Sequence, residues 1–345
     1  MSTRPRQVLD PSLLAGNTVA ALPARKASLL GQLPYALRAM RPTQWSKNAV
    51  VLAALIFARR LTDIHMVGRT LLAFAAFCLT ASAIYLFNDI RDRESDRVHP
   101  KKRLRPIASG QLSLSVASGT AVVCALAAAA LIAVLVAQPL SVATDPFAAW
   151  GGSQAMLVMT LAGYLAVNIA YSSWLKHQVL WDVFIIAAGF VARALAGAFA
   201  APVPISPWFY LCTLFLALFL ALGKRRAELI QLGASGEQHR QNLREYSVLL
   251  LDQLLAVVVT CTLITYSLYT FQSETASHAL MITIPFVIFG MFRYLYLIYV
   301  KGEGGQPDEV LWRDRQVLAS VFLCGVAVVI LLYVLPMLHR HVAGA

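Results

Sequence analysis

The chain has 345 residues, 59% of them apolar and 13% charged, with a formal net charge of +12. A soluble domain carries about 25% charged residues, so this balance excludes an ordinary water-soluble globule and points to lipid as the solvent. In such a chain excess positive charge reads as retention of cytoplasmic loops, and no nucleic-acid partner is implied.

Residues 1–34 contain Pro5, Pro11, Gly16, Pro23 and Pro34 and read as a flexible cytoplasmic N-terminal tail. No apolar core followed by a small-residue cleavage site occurs there, so no secretory signal peptide is expected. Residues 35–345 read as one all-α membrane domain, a polytopic bundle of about nine transmembrane helices. The spans fall near 47–60, 67–88, 113–137, 155–175, 179–201, 207–223, 250–271, 279–300 and 316–338. Each of Cys78, Cys124, Cys212, Cys261 and Cys324 sits inside an apolar block without CxxC spacing, which argues against a disulfide or a zinc site.

With these spans, 23 of the 29 Lys and Arg residues fall on one side, and only Arg59, Arg60, Arg69 and Arg340 on the other. The positive-inside rule then places the N-terminus in the cytoplasm and the C-terminus outside a plasma (inner) membrane. Arg193 and Arg293 lie within spans.

The strongest chemical signal follows the second span, in Asn88-Asp89-Ile90-Arg91-Asp92-Arg93-Glu94-Ser95-Asp96. If that span continues as a helix, Asn88, Asp92 and Asp96 stack on one face with Asp89 at its edge. Crowded carboxylates repel unless cations lie between them, and hard oxygen ligands at this spacing suit Mg²⁺ together with substrate phosphates. The run His99-Pro100-Lys101-Lys102-Arg103-Leu104-Arg105 follows directly, as expected where a metal-bridged polyanion is gripped by basic side chains. A solvated, topology-setting loop explains the basic run alone but needs no acidic ladder.

A second cluster runs Tyr171-Ser172-Ser173-Trp174-Leu175-Lys176-His177, then Asp182 and Arg193. Ionisable groups at membrane depth are expensive and suggest function; the bland reading is an ion pair between helices. Asp182 and Arg193 lie eleven residues apart, too far along one helix to pair. Lys47 in Arg41-Pro42-Thr43-Gln44-Trp45-Ser46-Lys47-Asn48 reads either as a phosphate ligand or as a snorkelling end residue. Gly223-Lys224-Arg225-Arg226 is equally ambiguous, and the Gly302–Arg315 stretch reads first as a turn. There is no P-loop, GxGxxG or HExxH motif.

These residues resemble the UbiA superfamily of intramembrane prenyltransferases. Its NDxxDxxxD motif is matched at Asn88, Asp89, Asp92 and Asp96; where its second motif commonly holds DxxxD, only Asp182 stands here, in YxxxLKxxxxxD from Tyr171. RPTQWSKN, NDIRDRESDRVHPKKRLRPIASG, YSSWLKHQVLWD and GGQPDEVLWRDR together resemble the decaprenyl-phosphate phosphoribosyltransferase branch, over about residues 38–318. The resemblance implies transfer of phosphoribose from phosphoribosyl pyrophosphate to a polyprenyl phosphate, releasing diphosphate, for lipid-linked arabinose donors of cell-surface glycans. It also implies Mg²⁺ at Asn88, Asp92 and Asp96, assisted by Asp89 and Asp182. Lys102 and Arg105, then Lys47 and Lys176, with Tyr171 and Arg193, are the expected substrate contacts. A homo-oligomer is compatible with the sequence. Prenyl transfer to an aromatic or haem acceptor, and a non-enzymatic transporter or scaffold, are the competing readings.

Overall fold

The computed structural model describes residues 28–140, 142, 144–175, 178–233, 245–272, 276–305 and 307–338. Twelve α-helices run in chain order: α1 Leu29–Ala39, α2 Ala53–Phe57, α3 Ile64–Arg91, α4 Arg93–Val98, α5 Leu114–Ala137, α6 Ser153–Ser173, α7 Trp181–Ala200, α8 Pro207–Gly233, α9 Val248–Gln272, α10 Ile284–Tyr296, α11 Pro307–Arg313 and α12 Arg315–Val329. A 3-10 helix, Pro42–Leu52, precedes α2, and π-helical turns extend α10 and α12. Among the described residues there is no strand.

Among the described residues eight segments are long and apolar enough to cross a bilayer. They correspond to the second to ninth expected spans. The first is not a regular helix: its eleven 3-10 residues and the five of α2 together reach roughly 30 Å, about the hydrocarbon thickness. Two more boundaries move. Six residues assigned to the tail, 29–34, belong to α1, while residues 1–27 lie outside the described residues. The sixth span runs on to Gly233, so Lys224, Arg225 and Arg226 sit on a helix and not in a loop. Charges there could be read as the end of the apolar block only because their partners on other helices were invisible.

Helix α1 is amphipathic. Ala36 and Ala39 pack with Leu86, Ile107, Leu112 and Ala117, while Leu30, Leu33 and Leu37 are exposed, as suits a helix lying in a membrane interface. The bundle has two large cores. One gathers residues of the first span, α3, α5, α6 and α7; the other gathers α7 to α10 and α12. Helix α7 therefore forms the shared wall, and its Ala187, Ala196, Ala198 and Ala200 let neighbouring backbones come close.

Helix ends are closed locally. Asp63 accepts from the His65 and Met66 amides to start α3, and Ser113 accepts from Val116 to start α5. At the end of the bundle away from the acidic ladder, Arg69 of α3 is buried and donates to Ala200 O at 2.9 Å and Leu135 O at 3.1 Å, carbonyls of the last turns of α7 and α5. Asp314 caps α12 through the Gln316 and Val317 amides and takes Arg293 Nη2 at 2.8 Å. The Arg293 guanidinium holds the Asp314 carboxyl below the usual carboxylate range. A carboxylate favoured in the fold contributes stability that is complete above its unfolded pKa and lost as pH falls through the folded value. Asp314→Ala should therefore lower thermal stability in detergent by about 1 kcal/mol at neutral pH, with the difference from wild type shrinking in acid.

Candidate active site

Helix α3 does not run unbroken through the ladder. Asp92 caps it and α4 begins at Arg93. The register survives, because the Asp92 amide donates to Asn88 O and the Asp96 amide to Asp92 O, both at 2.8 Å. Asn88, Asp92 and Asp96 thus keep the expected one-turn spacing.

Arginines are seated on this ladder. Asp89 and Asp96 are buried. Arg105 Nη1 donates to Asp96 Oδ2 at 2.6 Å and to Asp89 Oδ1 at 3.1 Å, and Arg41 Nη2 donates to the same Asp89 oxygen at 2.6 Å. Arg105 is placed by its neighbour Ile107, which is buried against Leu86. Arg41 holds a left-handed backbone (φ 55°) between α1 and the 3-10 helix and lies 4.9 Å over the Tyr85 ring. A non-glycine residue in that region is strained and persists when its surroundings over-determine it; the Asp89 bond and the Tyr85 stack are such surroundings. His99 Nδ1 accepts from the Lys101 and Lys102 amides, which fixes the turn that carries Lys102.

Among the described residues no three His, Cys, Asp or Glu side chains converge as a metal cluster. The expected set Asn88, Asp92 and Asp96 is therefore one amide and two acids, with Asp96 held by Arg105. Asn88 Oδ1 is buried and has no hydrogen-bond partner. An orphaned carbonyl oxygen beside Asp92 fits a hard cation such as Mg²⁺, which takes one or two carboxylates and completes its shell with substrate phosphates.

The second cluster forms around Asp182, fully buried in the first turn of α7, where the helix dipole favours a negative charge. Arg225 Nε of α8 donates to its Oδ2 at 2.5 Å, and the Tyr246 hydroxyl donates to its Oδ1 at 2.8 Å. Tyr246 also accepts from the Leu180 amide at 2.8 Å, and Leu180 has φ 67°. Burial, and then the Asp182 carboxylate beside it, push the Tyr246 phenol far above its usual range, so it stays a donor. Arg225 bonds Glu228 as well. Asp182 is thus the interhelical ion pair that the bland reading anticipated.

The last turn of α6 stands between the two clusters. Arg91 Nη1 donates to Ser173 Oγ at 2.9 Å, and Tyr171 lies within electrostatic reach of the Arg225 guanidinium. Both acidic motifs consequently sit at one end of the bundle. Lys176 lies outside the described residues. Lys47 sits on the 3-10 helix, next to buried Asn48. Arg193 is elsewhere: buried at membrane depth, it donates to Asn48 Oδ1 at 2.6 Å, Tyr164 Oη at 2.8 Å and Gly189 O at 2.8 Å.

A model of the UbiA prenyltransferase family matches residues 49–300. The chain belongs to that family. Relatives match over a larger share of the chain. A decaprenyl-phosphate phosphoribosyltransferase of Corynebacterium glutamicum is 37% identical, covering 87% of this chain and 87% of its own. One from Mycolicibacterium smegmatis is 35% identical, covering 85% and 90%, and one from Mycobacterium tuberculosis 34%, covering 84% and 92%. Among solved structures, a UbiA homologue from Archaeoglobus fulgidus bound to GPP and Mg²⁺ is 16% identical, with a TM-score of 0.59 over 85% of this chain and 96% of its own. It shares the fold. The two acidic clusters include residues that sequence reasoning left unassigned, namely Arg41, Glu228 and Tyr246, and Asn48 and Tyr164 join Arg193 apart from them. Arg41 sits in a quoted motif and Glu228 one helical turn from Arg225, but Tyr246 has no local signal.

The small residues of α7 serve both a pocket and close packing: Ala194 and Ala198 line a cavity of about 360 Å³ with Phe57, Phe209 and Tyr269. Gly197 lies against the Val51 carbonyl, where a Cβ would come within 1.9 Å of the oxygen. A groove of about 600 Å³ lies on α6, α7 and α8, lined by Val167, Phe184, Ile185, Leu195 and Leu214.

Proposed function

We propose that this UbiA-family transferase moves 5-phosphoribose from phosphoribosyl pyrophosphate to a polyprenyl phosphate of the decaprenyl class, releasing diphosphate. The observation that carries the reading is the near full-length match to relatives named for that reaction. The chemistry of the ladder end agrees with it. Both substrates are polyanions, and Arg41, Arg105 and the Lys102 turn surround the acids there. The excess of basic residues at this end supports a site that faces the cytoplasm, with the N-terminus inside and the C-terminus outside the plasma membrane.

Asn88 and Asp92, with Asp96, would hold Mg²⁺, which supplies charge neutralisation for the departing diphosphate. Arg105 and Lys102 bind phosphate oxygens of the donor, with Lys47 and Lys176 as further phosphate ligands. Asp89 and Asp182 act on their arginines, keeping Arg41, Arg105 and Arg225 aimed. A phosphate oxygen of the lipid attacks ribose C1 as the C1–O bond to diphosphate breaks, and the electron pair of that bond leaves with the diphosphate. The lipid phosphate is already ionised at neutral pH, so no general base is required. The polyprenyl tail lies in the groove on α6, α7 and α8.

Membranes containing the protein should incorporate label from phosphoribosyl pyrophosphate into the lipid phase when decaprenyl phosphate and Mg²⁺ are present, and EDTA should stop it. No labelled lipid, with turnover of a prenyl diphosphate in its place, would reverse the assignment in favour of prenyl transfer.

A further inference from the structure

Arg193 is an arginine in the middle of a membrane bundle, and none of its partners is an acid. Its three hydrogen bonds go to neutral oxygens on the first span, α6 and its own helix. Its guanidinium also lies 5.0 Å from the Tyr164 ring centre. Asn48 passes the connection on, donating to Cys78 Sγ of α3 at 3.3 Å. Four elements are therefore tied at one buried point. Holding them by packing alone would avoid the cost of an uncompensated charge at that depth. Polar groups in such places serve to fix one register among several that apolar packing would tolerate.

The element needing a fixed register is the first span. A 3-10 helix of eleven residues is long for its type. With three residues per turn, Trp45, Asn48 and Val51 form one row. Every member of that row is engaged. Trp45 Nε1 donates to Ser82 Oγ at 3.1 Å, Asn48 meets Arg193 and Cys78, and the Val51 backbone lies against Gly197. On α7 the matching row is Gly189, Arg193 and Gly197, at successive one-turn steps. The N-terminal end of this span is Arg41, whose guanidinium grips Asp89 of the ladder.

We propose that the Arg193–Asn48 pair is a positioning device. It locks the 3-10 register of the first span and thereby holds Arg41 on Asp89. Arg193 acts through Asn48 and does not touch substrate. This assignment rests on the phosphoribosyl-transfer reading only for its kinetic test.

The structural test needs no substrate. Spin labels at Ser46→Cys and Ser115→Cys, with Cys212, Cys261 and Cys324 changed to alanine, report the position of the first span against α5. The parent protein should give one narrow distance. Asn48→Ala, Arg193→Lys and Gly197→Ala, which pushes on the span from the other side, should each broaden or shift it, by up to about 5 Å if the eleven residues relax to α-helix. An unchanged distance in Asn48→Ala and Arg193→Lys overturns the proposal. In the transfer assay, Asn48→Ala should raise KM for phosphoribosyl pyrophosphate about ten-fold. Added to Arg41→Ala it should cost less than about two-fold more, because both changes act on the same seat. Full additivity overturns the proposal, as does full activity in Arg193→Lys with loss in Arg193→Gln, which would assign the charge and not the register. Absence of transfer by the wild-type protein would sink the functional reading and leave the distance measurement standing.

Discussion

Asp92→Asn should leave the protein folded and lower phosphoribosyl transfer by at least about a hundred-fold. The side chain is close to isosteric, and the hydrogen bonds that carry the ladder past Asp92 are made by its backbone. The substitution removes one negative charge beside the orphaned Asn88 oxygen. Asp92 lies one helical turn from both Asn88 and Asp96, so the lost charge is central to the ladder. The Mg²⁺ concentration for half-maximal turnover should rise in parallel. The measurement is transfer over an Mg²⁺ titration on protein matched by size-exclusion profile. Wild-type turnover with an unchanged Mg²⁺ requirement would remove Asp92 from the metal site. Asp89→Asn should behave differently. It strips two arginines of their shared anion, so thermal stability should fall together with activity.

Asp182→Ala should destabilise the protein by about 3–5 kcal/mol, the cost of leaving a buried charge without its partner. Arg225 is 2% exposed, and Tyr246 would lose the acceptor of its hydroxyl. Glu228 also bonds Arg225, which places the loss towards the lower end of that range. Removing both partners separates structure from chemistry. Asp182→Leu with Arg225→Met should recover much of the stability, since a packed apolar pair replaces an ion pair at little cost. Transfer should stay lost in that double variant if Asp182 works by keeping Arg225 in place at the site. Recovered stability accompanied by recovered transfer would reduce the pair to a structural tie.

Much of this architecture is legible in the sequence because a bilayer imposes a simple rule. A segment that crosses lipid must be apolar over a fixed length, and eight of nine expected spans appear as such helices. The spacing of Asn88, Asp92 and Asp96 was readable for a similar reason, since helical periodicity carries through the cap at Asp92. The first span was harder. Residues 42–57 are long enough for a membrane segment, but nothing local in Trp45, Asn48 and Val51 distinguishes a row of period three from a helical stripe. That choice is made by Arg193 and Gly197, some 145 residues away. The pairing of acids with arginines was hidden for the same reason. Arg41 meets Asp89 across 48 residues and Arg225 meets Asp182 across 43, and composition contains no record of such meetings. Tyr246 was invisible because it joins Leu180 and Asp182 only once α7 and the start of α9 are packed.

Arg69 gives the bundle a mechanical asymmetry. One guanidinium ties the far ends of α3, α5 and α7 through the carbonyls of Ala200 and Leu135. Three rods pinned together at their far ends keep that face closed by contacts to neutral carbonyls, whereas the helices on the acid side are joined largely through charges, where an anionic headgroup can find a counterpart.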